Sequence, residues 1–256
     1  MNRAQEKAVE LLDEFGIDEV QDVDIRDLVY AKGIIYKEAP LENYDGRIVY
    51  GNRGKALITI NSDLKYEPRK RFTIAHELGH YFLGHNRKEV NHDNEASLDF
   101  YKSGSQETEA NQFASELLIP TAIFQEYIEG EPFRPELMHD LAEEFNTSVS
   151  SIVFKYLEYG QHPIAVAYSY NGKILYNKWS KDFIRYFKDI RKLTVPENSV
   201  AEEWYKSGVQ YKPNDIQEVG LNVWFNLWNK EENGWCHEYC LVSKKCNTVL
   251  SVIWED

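Results

Sequence analysis

The sequence predicts an α+β fold, and three observations carry that reading. Apolar residues at helical spacing fill much of the first 160 residues. Two glycine-turn hairpin signals interrupt or follow that helical stretch. Beyond Pro163 the segments read mainly as strands. In order, Ala8, Leu11, Leu12 and Phe15 stripe a helix over residues 3–15 that Gly16 stops. A second helix fits Ile25 to Lys32, closed by Gly33. Gly46–Tyr50 and Ala56–Ile60 read as strands, and the linker Gly51–Asn52–Arg53–Gly54 has the turn chemistry of a hairpin. Pro68 suits the first turn of a helix running to about Leu83, with Gly84 as its stop. Residues 86–104 are polar and irregular, as in a surface loop. A further helix starts near Ser105, carries Ala110 to Leu118 and ends before Pro120. Residues 135–159 form two helices broken at Asn146–Thr147–Ser148 and ended by Gly160. Ile164–Tyr170 and Lys173–Tyr176 flank Asn171–Gly172, a second hairpin, and Leu221–Trp228, Glu238–Val242 and Val249–Trp254 read as strands. The composition shifts near residue 161.

Composition limits the function classes. With 43% hydrophobic residues in 256, the chain has ample material for a core and is not wholly disordered. Its 29 Lys+Arg against 42 Asp+Glu leave a net charge of −13, which disfavours a protein built to grip phosphate backbones. Three cysteines exclude a disulfide scaffold and suit a reducing compartment. The opening segment lacks the apolar core of a signal peptide, and no run approaches 18 apolar residues, so a soluble cytoplasmic protein is expected.

Chemistry concentrates in Arg71–Phe72–Thr73–Ile74–Ala75–His76–Glu77–Leu78–Gly79–His80, which contains H-E-x-x-H. On a helix, residues four apart lie nearly above one another, so His76 and His80 share a face and can hold one Zn²⁺. Glu77, next to the first ligand, is placed to act as general base toward a water that the metal activates. Chance would produce roughly 0.02 such motifs in a chain of this length and composition.

A catalytic zinc takes three protein ligands. His85 is the nearest further histidine, but the pattern H-E-x-x-H-x-x-G-x-x-H requires glycine at 83 and histidine at 86, where Leu83 and Asn86 stand. On an unbroken helix His85 would point about 180° from His76, so it is expected to be a solvated helix-end residue. Glu107 and Glu109 then compete. Around the second helix, Glu107 lies about 50° from the centre of the apolar face and Glu109 about 110°. Glu107 is therefore favoured as the ligand, Glu109 looks outward, and Asn111 is placed to orient a ligand from behind.

The run R-F-T-I-A-H-E-L-G-H-Y-F-L-G-H, followed by E-T-E-A-N-Q-F-A-S-E-L-L-I-P, resembles the ImmA/IrrE family of zinc metallopeptidases. The segment E-x-x-A-N also resembles the E-x-x-A-D and E-x-x-S-D signatures that carry the third ligand in related gluzincins. The resemblance covers roughly residues 5–160. It implies His76, His80 and Glu107 as zinc ligands and Glu77 as general base. It implies a zincin-like domain with a small twisted sheet and active-site helices over residues 1–130. A helix-turn-helix-like hairpin over 131–162 and a β-rich region of unknown role over 163–256 complete the expected organisation. Family members studied as proteases cut a helix-turn-helix repressor of the Xre type, so the implied function is a regulatory endopeptidase. The alternative is a non-hydrolytic binding partner of a repressor or toxin, with a structural or absent metal.

Weaker signals have plainer readings. Lys65, Arg69, Lys70 and Arg71 suit a solvated turn with ion pairs more than a substrate contact. The 135–159 helix pair carries Glu136, Asp140, Glu143 and Glu144 against Lys155, so direct nucleic-acid binding is not expected. Cys236, Cys240 and Cys246, with His237, lack the spacing of a zinc knuckle, and the cysteines read as mostly buried thiols. The tryptophans Trp179, Trp204, Trp224, Trp228, Trp235 and Trp254 are expected in the core. If Ala56–Ile60 is an edge strand, it is the place for an extended substrate to pair.

Overall fold

The computed structural model describes residues 1–18, 23–85, 105–188, 193–227 and 234–256. The expected loop 86–104 and Trp228 lie outside these residues. The chain divides into two compact units, one of residues 1–124 and 142–148, the other of residues 125–141 and 149–256. Along the chain run α1 (Arg3–Phe15), α2 (Ile25–Ala31), β1 (Ile35–Ala39), β2 (Gly46–Tyr50), β3 (Ala56–Asn61), α3 (Glu67–Leu83) and α4 (Ser105–Leu118). They are followed by α5 (Thr121–Ile128), α6 (Pro135–Glu144), α7 (Val149–Tyr159), β4 (Ile164–Tyr170) and β5 (Lys173–Trp179). The chain ends with α8 (Val200–Ser207), β6 (Gln217–Gly220), α9 (Leu221–Trp224), β7 (Trp235–Ser243) and β8 (Thr248–Trp254). No helix among the described residues is long and apolar enough to cross a membrane.

In the first unit, Asn2 caps α1 by accepting the Ala4 and Gln5 N–H groups, and the Gln5 side chain returns to the Asn2 N–H. Ala4, Ala8, Leu11 and Leu12 are the buried stripe of α1, which packs on α3 and α4. The Arg3 guanidinium donates to the Leu83 carbonyl at 3.1 Å, tying α1 to the last turn of α3. The sheet order is β1-β3-β2, with β3 parallel to β1 and antiparallel to β2. Thus β3 is the central strand, and the expectation of an edge at Ala56–Ile60 is corrected. Its pairing explains why: β1 occupies one edge of its backbone and β2 the other, while Ala56, Ile58 and Ile60 line its buried face. The edge beside α3 belongs to β2.

That edge has a definite polarity. The Asn61 N–H donates to the Asp45 carbonyl at 2.7 Å, and the Gly51 N–H to the Lys55 carbonyl at 2.8 Å. These two pairs continue the β2–β3 register at either end. Hydrogen-bonded pairs alternate in an antiparallel ladder. Arg47 and Val49 therefore bond across to β3, and the main chains of Gly46 and Ile48 turn their N–H and C=O groups away from it.

The second unit holds a five-stranded antiparallel sheet of order β5-β4-β8-β7-β6. Asn171 and Gly172, at φ 49° and 73°, make the two-residue turn of the β4–β5 hairpin. Glu238 of β7 is fully buried and accepts from the Val200 and Ala201 N–H groups, Trp224 Nε1 and Ser251 Oγ, at 2.8–3.2 Å. One carboxylate thereby fastens the start of α8 and the short α9. Leu221–Trp224 is helical rather than the expected strand, because Trp224 is drawn inward onto that carboxylate. Trp204, Trp224 and Trp254 are core residues, whereas Trp179 and Trp235 are about half or more exposed, at 48% and 68%. His237 faces away from Cys236 and Cys240 and pairs with Asp256. None of the three cysteines forms a disulfide among the described residues.

Candidate metal centre

Every residue of α3 from Thr73 to His80 is buried, so the helix is enclosed on both flanks. The β2–β3 side lies against one flank and α4 against the other. Two glycines set these distances. A Cβ on Gly79 would stand 3.1 Å from the Ala110 Cα and carbonyl O, so α3 and α4 cross in backbone contact there. A Cβ on Gly46 would stand 2.4 Å from the Thr73 methyl and 3.1 Å from Glu77 Oε1, so β2 passes directly over Glu77.

The close crossing at Gly79 carries Glu107 to the histidine pair. The His76 and His80 Nε2 atoms lie 2.9 Å apart. Glu107 Oε2 is 3.1 Å from His76 Nε2, and Oε1 is 3.4 Å from His80 Nε2. Four donors about 2.05 Å from a tetrahedral centre stand about 3.3 Å from one another. The three groups therefore have the spacing and the chemistry, two imidazoles and a carboxylate, that a zinc ion requires. His76, His80 and Glu107 are the acid, histidine and cysteine group of this kind among the described residues. Glu77, 3% exposed, lies one residue on from His76 and under β2, adjacent to this point without entering it.

Burial pushes the His80 imidazole below the usual histidine range, against the upward pull of Glu107. Burial alone would raise the Glu107 carboxyl, but its contacts with the His76 and His80 imidazoles outweigh it and hold it well below the usual carboxylate range.

Behind the ligands, His76 Nδ1 lies 2.8 Å from Asn111 Oδ1, one helical turn along α4 from Glu107. His85 is not the solvated residue the helical wheel implies: it is 7% exposed. Gly84 takes a left-handed conformation (φ 67°) and reverses the chain, with the His85 N–H bonded to the His80 carbonyl at 3.1 Å. In this C-terminal motif the residue after the glycine folds back onto the residue five before it. Here that contact sets His85 Nδ1 at 2.9 Å from His80 Nδ1. The His85 Nε2 meets Glu109 Oε2 at 3.1 Å, and the Glu109 side chain is 40% exposed, on the outward side of α4. The signal for this fold-back was Gly84 itself, which ends the wheel on which His85 was judged.

Beside His85 opens a cavity of about 390 Å³ lined by Tyr50, Gly54, Tyr81, Phe82, Gly84 and His85. Tyr50 and Tyr81 stack across it with ring centres 6.4 Å apart. The basic cluster is consumed structurally. Arg69 pairs with Asp45, Lys70 with Glu38, and Lys65 donates to the Ser62 carbonyl, while Arg71 is buried and donates to the Val23 carbonyl.

Residues 31–156 match the Peptidase_M78 family, described as an IrrE N-terminal-like domain. Over its full length the chain is similar in fold to a solved Mycobacterium tuberculosis transcriptional regulator. The TM-score is 0.62 at 13% identity, over 76% of that protein's chain. No curated protein matches the chain.

Proposed function

Because residues 31–156 belong to the Peptidase_M78 family, we propose that the chain is a zinc-dependent endopeptidase of regulatory type that cuts a partner protein. The observation that carries this reading is the meeting of His76, His80 and Glu107 at mutual distances of 2.9–3.4 Å. His76 and His80 from α3 and Glu107 from α4 would hold the ion. When bound, a zinc ion polarises the scissile carbonyl and lowers the pKa of a coordinated water. Glu77 takes the proton from the attacking water and returns it to the leaving amine. The outward-turned N–H and C=O groups of Gly46 and Ile48 pair with an extended substrate, laying its backbone over Glu77. Main-chain pairing is indifferent to sequence. The aromatic cavity at Tyr50 and Tyr81 supplies side-chain preference. By family resemblance the substrate is a helix-turn-helix repressor, and a likeness in fold to a transcriptional regulator accords with a regulatory setting. Three cysteines, none in a disulfide among the described residues, suit a reducing, cytoplasmic compartment.

Two measurements test this. Mass spectrometry of the native protein should find one zinc per chain, and Glu107→Ala should lose it, with Glu109→Ala retaining most. Incubation with a proteome-derived peptide library and zinc should yield cleavage products that Glu77→Gln does not make while keeping its metal. A Glu77→Gln variant that cleaves as well as the native protein would reject the mechanism. A stable complex with an uncut repressor after long incubation with zinc would favour a binding role instead.

A further inference from the structure

Resting on the metal-centre reading, we propose that His85, backed by Glu109, is a positioning residue for His80. It accepts the His80 Nδ1–H and so reserves the Nε2 lone pair for the ion. The placement of hydrogens that leaves the His80 Nε2 free for the ion also meets the contacts running from Glu109 through His85 to His80. A carboxylate offers only acceptors, so His85 Nε2, 3.1 Å from Glu109 Oε2, carries the hydrogen. With that as its single ring hydrogen, His85 has its lone pair on Nδ1, which faces His80 Nδ1 at 2.9 Å. His80 Nδ1 is therefore the donor, and the His80 lone pair sits on Nε2, the atom turned toward His76 and Glu107. The second imidazole is held in the same sense, its Nδ1 2.8 Å from the Asn111 amide oxygen. Both histidines are thus fixed from behind, one by an amide and the other by an imidazole and a carboxylate.

The backbone is built for this contact. Left-handed Gly84 brings His85 back beneath His80, and burial leaves little water to take over as acceptor. Without His85, a buried N–H loses its partner and the ring is free to turn or change tautomer.

The test is zinc affinity, measured by competition with a chromophoric chelator. Glutamine at position 85 can still accept with its oxygen and donate with its amide, whereas leucine fills space and does neither. His85→Gln should stay within about threefold of the native protein, and His85→Leu should weaken binding about 10–100-fold, the usual cost of losing such a partner. Glu109→Ala should fall between them. The ¹⁵N shifts of His80 in the zinc-loaded protein should report a protonated Nδ1 in native protein and His85→Gln. Equal affinity of the Gln and Leu variants would overturn the proposal, whether both match the native protein or both lose binding together. A native protein that binds no zinc would instead remove the metal-centre reading itself, and Glu107→Ala marks the level of that outcome.

Discussion

Gly46 is a residue whose missing side chain is its contribution. A methyl group there meets the Thr73 methyl at 2.4 Å, and Thr73 Oγ1 is held by the Arg69 carbonyl at 2.9 Å, so Thr73 cannot swing aside without losing that bond. Gly46→Ala should cost about 1–3 kcal/mol, the usual penalty of overpacking. It should also lower kcat/KM by shifting β2 and Glu77 while zinc content stays at one. A drop in metal instead would place the effect in the ligands. Glu238 gives a prediction of a different kind. Burial pushes its carboxyl up, against four hydrogen bonds that pull it down. A group whose folded pKa is raised contributes stability below its unfolded value of about 4.3 and loses it as pH rises through the folded value. The native protein should therefore lose ground to Glu238→Gln, which does not titrate, as pH rises above the unfolded carboxyl value of about 4.3 in denaturant unfolding. A flat or reversed difference would contradict that. At this scale the helical wheel sets Glu107 nearer the apolar face than Glu109, and Glu107 lies against His76 and His80 while Glu109 is 40% exposed. The wheel failed at His85, because a left-handed glycine intervenes and it no longer applies.

At the scale of elements, the α3–α4 crossing governs the site. Alanine in place of Gly79 would gain about 0.5–1 kcal/mol of helix propensity. Against that stands a 3.1 Å approach to the Ala110 backbone, which has no flexible end to move. Overpacking wins, so Gly79→Ala should be net destabilising by about 1 kcal/mol and should weaken zinc binding as α4 is pushed away. A more stable variant with undiminished affinity would disprove this account of the crossing. α1 was legible from its apolar stripe and Gly16, and α3 from Pro68 and Gly84, as was the Asn171–Gly172 hairpin. β1 was not, since Ile35, Lys37 and Glu38 are exposed and the strand shows no apolar alternation. α8 did carry a signal: Ser199, whose side chain accepts from the Glu202 N–H, has a glutamate three residues on. Leu221–Trp224 looked like a strand because its apolar content reflects attachment to Glu238, a contact from a distant part of the chain.

At the scale of the whole molecule, the family match starts at residue 31, yet the first unit is not complete without α1. That helix packs on α3 and α4 and holds the Leu83 carbonyl through Arg3. A chain lacking residues 1–16, which keeps α2, should bind zinc poorly and give a broadened first unfolding transition in calorimetry. Full zinc affinity in that truncation would show α1 to be dispensable. The ligand set also has a consequence for persistence. His76 and Glu107 stand 31 positions apart in the chain. An ion joining them ties off a ring of polypeptide. Because only the folded chain brings these ligands together, bound zinc stabilises it by mass action, more as free zinc rises above its Kd. Zinc supply would then set how long the molecule survives between turnovers as well as whether it cuts. A chelator would leave a slackened protein that is itself easy prey for proteolysis.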